Sequence, residues 1–303
     1  MEDRIKCFKC KEDAIVYQRY SGMHLCPGHL IEDIERKIKK NIRKNFTIKK
    51  NERIAVALSG GKDSTVTLYI LKKIFSERRD IAISAITVDE GIRGYREKTI
   101  KKARKFTEDV GIDHRIVSFE EEYGITLDEI AGRGEEQAPC TFCGVLRRQL
   151  LNKTAKELEV DRVATGHNLD DESQTILMNY LRGDIERLAR TNTGKAGFVP
   201  RIKLLQDIPE REVALYAIVN NLEMDMSECP YANFALRSEI REMLNDFEVR
   251  HPGTKYSLIR GFGKISDGLS SINIDLSECE VCGEPCNGVL CKACQLLSQV
   301  GRI

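Results

Sequence analysis

Arg53-Ile54-Ala55-Val56-Ala57-Leu58, then Ser59-Gly60-Gly61-Lys62-Asp63-Ser64, then Thr65-Val66-Thr67-Leu68-Tyr69-Ile70-Leu71-Lys72-Lys73 decides how this chain is read. The first six residues are a short apolar run of the kind that forms a buried strand, and the last nine read as a helix. Between them, Gly60 and Gly61 permit a tight turn and let a ligand approach the backbone. A helix starting there offers unpaired N–H groups and the positive end of its dipole, which suit phosphate. Lys62 adds a point charge, and Ser59 and Ser64 add hydroxyl donors. The glycine spacing, and Asp63 directly after the lysine, separate this loop from the Walker P-loop. An ordinary glycine-rich strand-to-helix turn is the plainer alternative. Strand, turn and helix agree on one geometry, which favours the phosphate reading.

Working outward, Ile81–Val88 reads as a second buried strand ending at Asp89-Glu90-Gly91, and a basic helix runs from Tyr95 to about Val110. His114–Ser118 and Asp161–Thr165 read as third and fourth strands, the latter ending at Gly166-His167-Asn168-Leu169-Asp170-Asp171-Glu172. Strands alternating with helices predict an α/β fold with a doubly wound parallel sheet. Ligands of such sheets bind at the carboxyl ends of the strands. That rule places Ser59–Ser64, Val88 with Asp89, and Gly166 through Asp171 around one nucleotide, with adenine or ribose near Thr165-Gly166. Asp170 and Asp171 would cap the next helix, and one could also hold Mg²⁺ bridging to phosphates. Further on, Pro209–Asn220 reads as a helix with proline at its start, and Asn233 to Phe247 as an amphipathic helix carrying Arg237 and Arg241.

With 303 residues, 41% hydrophobic and 31% charged, the chain is long and apolar enough to build a core. A net charge of +1 does not announce a nucleic-acid partner, so local charge must carry that argument. No apolar run approaches ~20 residues, and the polar start is no signal peptide, so a cytoplasmic protein without a membrane span is expected. A helix from Leu30 to Asn45 turns Leu30, Ile31, Ile34, Ile38 and Ile42 to one side. Its other face carries Arg36, Lys37, Lys39, Lys40, Arg43 and Lys44, either a solvated face or a surface for an RNA backbone.

Eleven cysteines in such a chain argue for metals or chemistry rather than disulfides. Cys7-x2-Cys10 with Cys26-x2-His29 brings together three thiols and an imidazole, a common closed zinc set, with His24 as a competing ligand. Cys279-x2-Cys282 with Cys291-x2-Cys294 is the four-cysteine pattern of a zinc ribbon, which either contacts RNA or staples the fold; Cys286 is surplus. The third group lies between the two nucleotide loops and beyond them. Cys140 and Cys143 stand at a helix start, where lowered thiol pKa values are expected; Arg147 and Arg148 begin the helix that runs to about Leu158. A redox disulfide, a persulfide pair and two ligands of a cluster compete here. Cys229-Pro230 adds a third thiol, an incomplete set for a [4Fe–4S] cluster, whose open fourth iron would be a place to bind sulfide.

SGGKDS at 59–64 resembles the PP-loop of ATP pyrophosphatases, which split ATP into AMP and pyrophosphate. ATGHNLDDE at 164–172 resembles the second nucleotide-site motif of PP-loop RNA-modifying enzymes. Cys140-x2-Cys143 with a distant Cys229-Pro230 resembles the tRNA 2-thiolation family of cytosolic wobble-uridine thiolases and their bacterial and archaeal relatives. Pro200-Arg201-Ile202-Lys203-Leu204-Leu205 is similar to a family stretch that has proline where Leu204 stands. The resemblance covers nearly the whole chain. It implies a PP-loop ATP pyrophosphatase fold, adenine nucleotide alpha hydrolase-like, with a zinc module at each end. The expected division is an N-terminal zinc module at 1–30, a basic linker helix at 31–50, the catalytic domain at 51–250, a connecting segment at 251–275 and a zinc ribbon at 276–303.

The implied activity is an ATP-dependent tRNA sulfurtransferase that makes 2-thiouridine at the wobble position. The uracil C2 oxygen would be adenylated, and sulfide held on a [4Fe–4S] cluster of Cys140, Cys143 and Cys229 would replace it. Lys62 would stabilise the leaving pyrophosphate, Asp171 would handle Mg²⁺ or a proton, and Arg147 or Arg148 would steady the sulfur nucleophile or an RNA phosphate. Implied partners are tRNA, a sulfur donor (free sulfide or a ubiquitin-like carrier) and a second copy of the chain; implied cofactors are ATP, Mg²⁺, the cluster and two Zn²⁺. A cluster-free persulfide relay, another PP-loop ligase and a non-enzymatic RNA-binding zinc protein are the rival readings.

Overall fold

The computed structural model describes residues 5–303 apart from 136, 185–187, 189–196, 226, 233–235 and 270–276. Along the chain come β1 (Val16–Gln18), β2 (Met23–Leu25), α1 (Pro27–Asn45), β3 (Arg53–Ala57), α2 (Lys62–Ile74), β4 (Ala82–Asp89), α3 (Arg96–Val110) and β5 (Asp113–Ser118). Short helices α4 (Phe119–Tyr123) and α5 (Leu127–Gly132) lead to α6 (Pro139–Glu157), β6 (Arg162–Thr165), α7 (Leu169–Leu181) and β7 (Arg201–Lys203). Then follow α8 (Glu210–Val219), α9 (Leu236–Arg250), α10 (Thr254–Leu269), β8 (Ser277–Glu278), β9 (Pro285–Cys286) and α11 (Lys292–Gln299).

Five strands form one parallel sheet in the order β5-β4-β3-β6-β7, the doubly wound arrangement expected. From β3 the chain winds outward through β4 to β5, then returns to β6 on the other side. The order therefore reverses between β3 and β6, and a ligand crevice opens beyond their carboxyl ends. The SGGKDS loop leaves β3 there, and the GHNLDD loop leaves β6. Strand β7, three residues after Pro200, was too short to stand out in the sequence.

Period-two alternation sends successive strand residues to opposite faces. Ile54 and Val56 pack with Leu30, Ile34 and Ile38 of α1, Val66 and Ile70 of α2, and Tyr216 of α8. Ala55, Ile86, Val88 and Val163 pack on the other side with Phe142, Leu146 and Leu150 of α6 and Leu296 and Leu297 of α11. Cys7 and Cys26 belong to the first core, and Cys279, Cys286, Cys291 and Cys294 to the second. The two cysteine modules thus seal opposite faces of the sheet.

Two details differ from the sequence reading, and a third falls partly outside the described residues. Lys37 of α1 turns inward to the buried Asp33, 2.7 Å away, instead of joining the solvated face. Residues 254–269 of the supposed connecting segment are helix α10, whose Phe262 meets Ile176 of α7; Gly261 and Gly263 disguised the helical pattern. The amphipathic stretch from Asn233 is helical from Leu236, and 233–235 lie outside the described residues. Among the described residues no helix is long and apolar enough to cross a membrane.

Two predictions follow from this packing. His114 on β5 lies between the hydroxyls of Thr87 (2.7 Å) and Thr107 (3.1 Å). Burial, and then the charge of Arg104, pull its pKa down from 6.5 to about 4. The unfolded chain therefore binds the extra proton first, so stability is full above pH 6.5 and falls as pH drops towards 4. Denaturant titrations should show a loss of on the order of 2 kcal/mol across that window, which His114→Gln abolishes. Gly60 has φ +86°, and a Cβ there would meet the Thr99 carbonyl oxygen at 2.1 Å; Gly94 has φ +74° with nothing within 4 Å. Gly94→Ala should cost about 1 kcal/mol of left-handed strain, and Gly60→Ala at least about 2 kcal/mol more, compared in the same urea melts.

Candidate active site

The loop after β3 is held open by its own serines. Ser59 Oγ and Ser64 Oγ lie 3.0 Å apart, Ser59 N donates to Ser64 Oγ (3.1 Å), and Ser64 Oγ donates to the Gly61 carbonyl (3.0 Å). Gly61 caps α2 without a side chain, so the first N–H groups of that helix point into the crevice. Lys62, the first helical residue, sends Nζ to Glu210 Oε1 (2.7 Å) and Asp63 Oδ2 (3.0 Å). Burial works against its charge, but Asp63 and Glu210 outweigh it and raise the ammonium pKa.

The second loop rests directly on the first. A Cβ on Gly166 would sit 2.8 Å from the backbone of Asp63 and Ser64, so only glycine lets the loops touch. Asn168, rather than Asp170 or Asp171, caps α7: it accepts from Asp171 N (3.1 Å), and Asp171 Oδ2 accepts from Asn168 N (3.2 Å) in a capping box. The Asn168 amide also donates to Asp63 Oδ1 (3.0 Å). Asp170 is buried and used internally, accepting from the Glu210 backbone N–H (2.8 Å) and from Lys255. Burial, and then the charges of Asp63 and Glu210, raise the Asp171 carboxyl to about 6 despite the Asn168 N–H. His167 Nδ1 lies 2.9 Å from Thr165 Oγ1. Crowding by protein, followed by the charges of Lys203, Arg237, Arg201 and Arg147, brings its pKa down to about 3, so its exposed ring is neutral. Asp89 stays at the end of β4 and accepts from Gly91 N (2.9 Å), while the Val88 carbonyl faces Arg96.

Helix α6 begins earlier than its arginines suggested, at Pro139 behind Ala138, which puts Cys140 and Cys143 in its first two turns. The Cys229 turn folds against them: Cys140 Sγ donates to the Tyr231 carbonyl (3.1 Å), and Tyr231 Oη donates to Asp128 Oδ1 (2.8 Å). Cys229 is near enough to raise the pKa of both other thiols. The expected lowering at a helix start does not hold. Burial outweighs the helix end and the Arg147 charge, pushing Cys143 up to about 11 and Cys140 above its ordinary value. Three neighbouring soft donors, half-buried and beside a guanidinium, suit a cluster that would ionise them itself, although their ligand atoms do not form a close single-metal set like those at the two ends. Arg148 lies back along its own helix over Gly144.

Sequence reasoning missed the pieces that join these loops. Arg147 Nη1 reaches Glu90 Oε1 (3.3 Å), and Glu90 Oε2 pairs with Arg96 Nε (2.7 Å). Arg96 in turn donates to the Ser59 carbonyl (3.0 Å). Asp225, four residues before Cys229, donates its N–H to the Gly60 carbonyl (3.0 Å). The available signal was a carboxylate and an arginine, Glu90 in the loop following a buried strand and Arg96 at the start of the next helix.

At the N-terminal module the ligand atoms of Cys7, Cys10, Cys26 and His29 lie within 4.8 Å of one another, as do those of Cys279, Cys282, Cys291 and Cys294 at the other end. Tetrahedral zinc with bonds of about 2.3 Å sets sulfurs about 3.8 Å apart. Cys10 and Cys26 sulfurs are 3.7 Å apart, and Cys282 and Cys291 sulfurs 3.6 Å. His29 Nδ1 sits 3.2 Å from the Cys26 sulfur and 3.4 Å from that of Cys7. Against the effect of burial, backbone N–H groups aimed at Cys7 and Cys279 bring both thiols to about 6. His24 stacks on Tyr17, with centroids 4.4 Å apart, and Cys286 donates to the Gly288 carbonyl (3.1 Å). Neither joins a ligand group.

Residues 30–244 match the model of a PP-loop domain, and residues 6–31 that of the N-terminal LIM domain of the 2-thiouridine synthetase TtuA. The tRNA 2-thiolation protein NcsA of Haloferax volcanii is 36% identical over 98% of this chain and 99% of its own length. The tRNA-5-methyluridine(54) 2-sulfurtransferase of Pyrococcus horikoshii is 37% identical over 96% of this chain and 93% of its own. A solved structure of the U34-tRNA thiolase NcsA from Methanococcus maripaludis with its [4Fe–4S] cluster superposes with a TM-score of 0.87 at 38% identity, covering 99% of this chain and 98% of that one. Two motif loops in contact at the sheet's switch point, three thiols behind them and these likenesses agree: the chain belongs to the PP-loop family of tRNA 2-thiolation enzymes.

Proposed function

We propose that this chain converts a tRNA uridine, at the wobble position, to 2-thiouridine at the expense of ATP. The observation that carries the proposal is the chain of contacts Arg147, Glu90 and Arg96, which links the helix bearing Cys140 and Cys143 to the SGGKDS loop, with Asp225 of the Cys229 segment bonded to Gly60 of the same loop. The NcsA likeness favours position 34, since that solved relative is described as a U34 thiolase. Uracil's C2 oxygen is a poor leaving group. Attack of that oxygen on the ATP α-phosphate releases pyrophosphate and leaves an adenylated base, from which AMP can depart when sulfur adds at C2.

In this reading the α2 N–H groups and Lys62 hold the β- and γ-phosphates and meet the charge of the departing pyrophosphate. Asp171 and Asp63 would hold Mg²⁺, and the raised pKa of Asp171 reflects their mutual repulsion as well as burial. Neutral His167 borders the crevice without adding charge. Arg147 sits where it can steady an incoming anionic sulfur. Cys140, Cys143 and Cys229 would hold a [4Fe–4S] cluster, which would supply the sulfide that replaces the activated oxygen. The two terminal groups would each hold one Zn²⁺ and act as staples.

Anaerobic reconstitution with metals counted and tRNA thiolation assayed in the same sample tests this reading. The expected result is about two zinc and one cluster per chain. Cys140→Ser, Cys143→Ser and Cys229→Ser should each lose iron and at least about tenfold in thiolation, because a protonated hydroxyl replaces a soft thiolate, while ATP binding persists. Cys286→Ser should change neither quantity. Full activity in iron-free protein would replace the cluster with a persulfide relay. Nucleoside mass spectrometry of position-specific tRNA fragments should place the thiolated base at 34.

A further inference from the structure

Glu210 is the only carboxylate among the described residues that binds both Lys62 and Arg241. Its Oε1 accepts from Lys62 Nζ (2.7 Å), and Arg241 Nη2 lies 2.8 Å from each of its oxygens. A carboxylate bridging two cations offers them the same anionic oxygens that a phosphate would. The neighbouring acids are already matched: Asp63 with Lys62 and Asn168, Asp170 with Lys255. The bridge borders a cavity of about 730 Å³ whose walls include Gly61, Lys62, Asp170, Arg241, Asn245 and Lys255. Arg241 is aimed there by Arg237, one turn earlier on α9, which donates to Thr175 Oγ1 (3.0 Å) and the Asp171 carbonyl (3.3 Å) and so pins α9 over the start of α7. The Glu210 main chain is tied to Asp170, so only its side chain need turn to leave the bridge.

We infer that the β- and γ-phosphates of ATP, and the pyrophosphate it releases, bind between Lys62 and Arg241 in the place held here by the Glu210 carboxylate, with Arg241 a direct phosphate ligand contributed by α9. This rests on the PP-loop phosphate reading given above. Arg241 then closes the side of the site opposite the loop glycines. Glu210 competes for the same two cations, so pyrophosphate binding and release exchange one anion for another without leaving Lys62 bare.

The test is calorimetric titration of the full chain with ATP, inorganic pyrophosphate and AMP. Arg241→Ala should weaken ATP and pyrophosphate by about ten- to a hundredfold and leave AMP unchanged, since AMP lacks the outer phosphates. Arg241→Lys, which keeps the charge, should recover most of that loss. Glu210→Gln should tighten pyrophosphate severalfold with AMP again unchanged. Unaltered pyrophosphate affinity in Arg241→Ala, an equal loss for AMP, or weaker pyrophosphate binding in Glu210→Gln would each overturn the assignment. Lys62→Ala in the same series separates the two claims. If it too leaves pyrophosphate affinity unchanged, the phosphate role of the loop itself fails. If it weakens pyrophosphate while Arg241→Ala does not, the failure is confined to Arg241.

Discussion

The Arg96 guanidinium is the contact on which the site depends. It is almost wholly buried and pairs with an equally buried Glu90 at 2.7 Å. It also donates to the carbonyls of Ser59 and Val88 and to Thr99 Oγ1 (2.8 Å). Those partners belong to the β3 loop, the end of β4 and α3, so one side chain ties three pieces of backbone together. Charges this deep are costly to bury unless they are paired; removing one partner costs about 3–5 kcal/mol. Gly60 completes the constraint. Lacking a side chain, it lets the first turn of α3 come close enough for Arg96 to reach the loop.

Two routes then run from the nucleotide loop to the cysteines. One goes through Arg96, Glu90 and Arg147 to the helix bearing Cys140 and Cys143. The other is a backbone hydrogen bond from Asp225 to Gly60, with Cys229 four residues further on. The loop after β3 is thus linked through protein contacts to both segments that carry the three thiols. Such a linkage suits the two-step reaction proposed above.

Motif loops and strands were legible because their signals are local. Apolar runs, paired glycines and two-residue cysteine gaps are written in consecutive positions, so the sheet, both loops and both terminal ligand sets could be read directly. What stayed hidden depends on long-range contact. Whether Cys143 titrates low or high turns on burial against the second core, which outweighs its place in the early turns of α6. That Asn168 caps α7, leaving Asp170 to Lys255, depends on a helix 85 residues away that the sequence reading took for a connector. Lys37 looked like one more basic surface residue until Asp33 was found beneath it.

The sealing of opposite sheet faces by the two cysteine modules sets an order on biosynthesis. Everything in the first core, from Cys7 to the α8 residues, has been made once the chain passes about residue 224. The second core takes Leu296, Leu297 and four cysteines from beyond residue 278. As translation runs from N to C and domains fold in that order, one face of the sheet can close while the other still waits for its last segment. The waiting face is the one carrying α6, and with it Cys143, which packs against the second core.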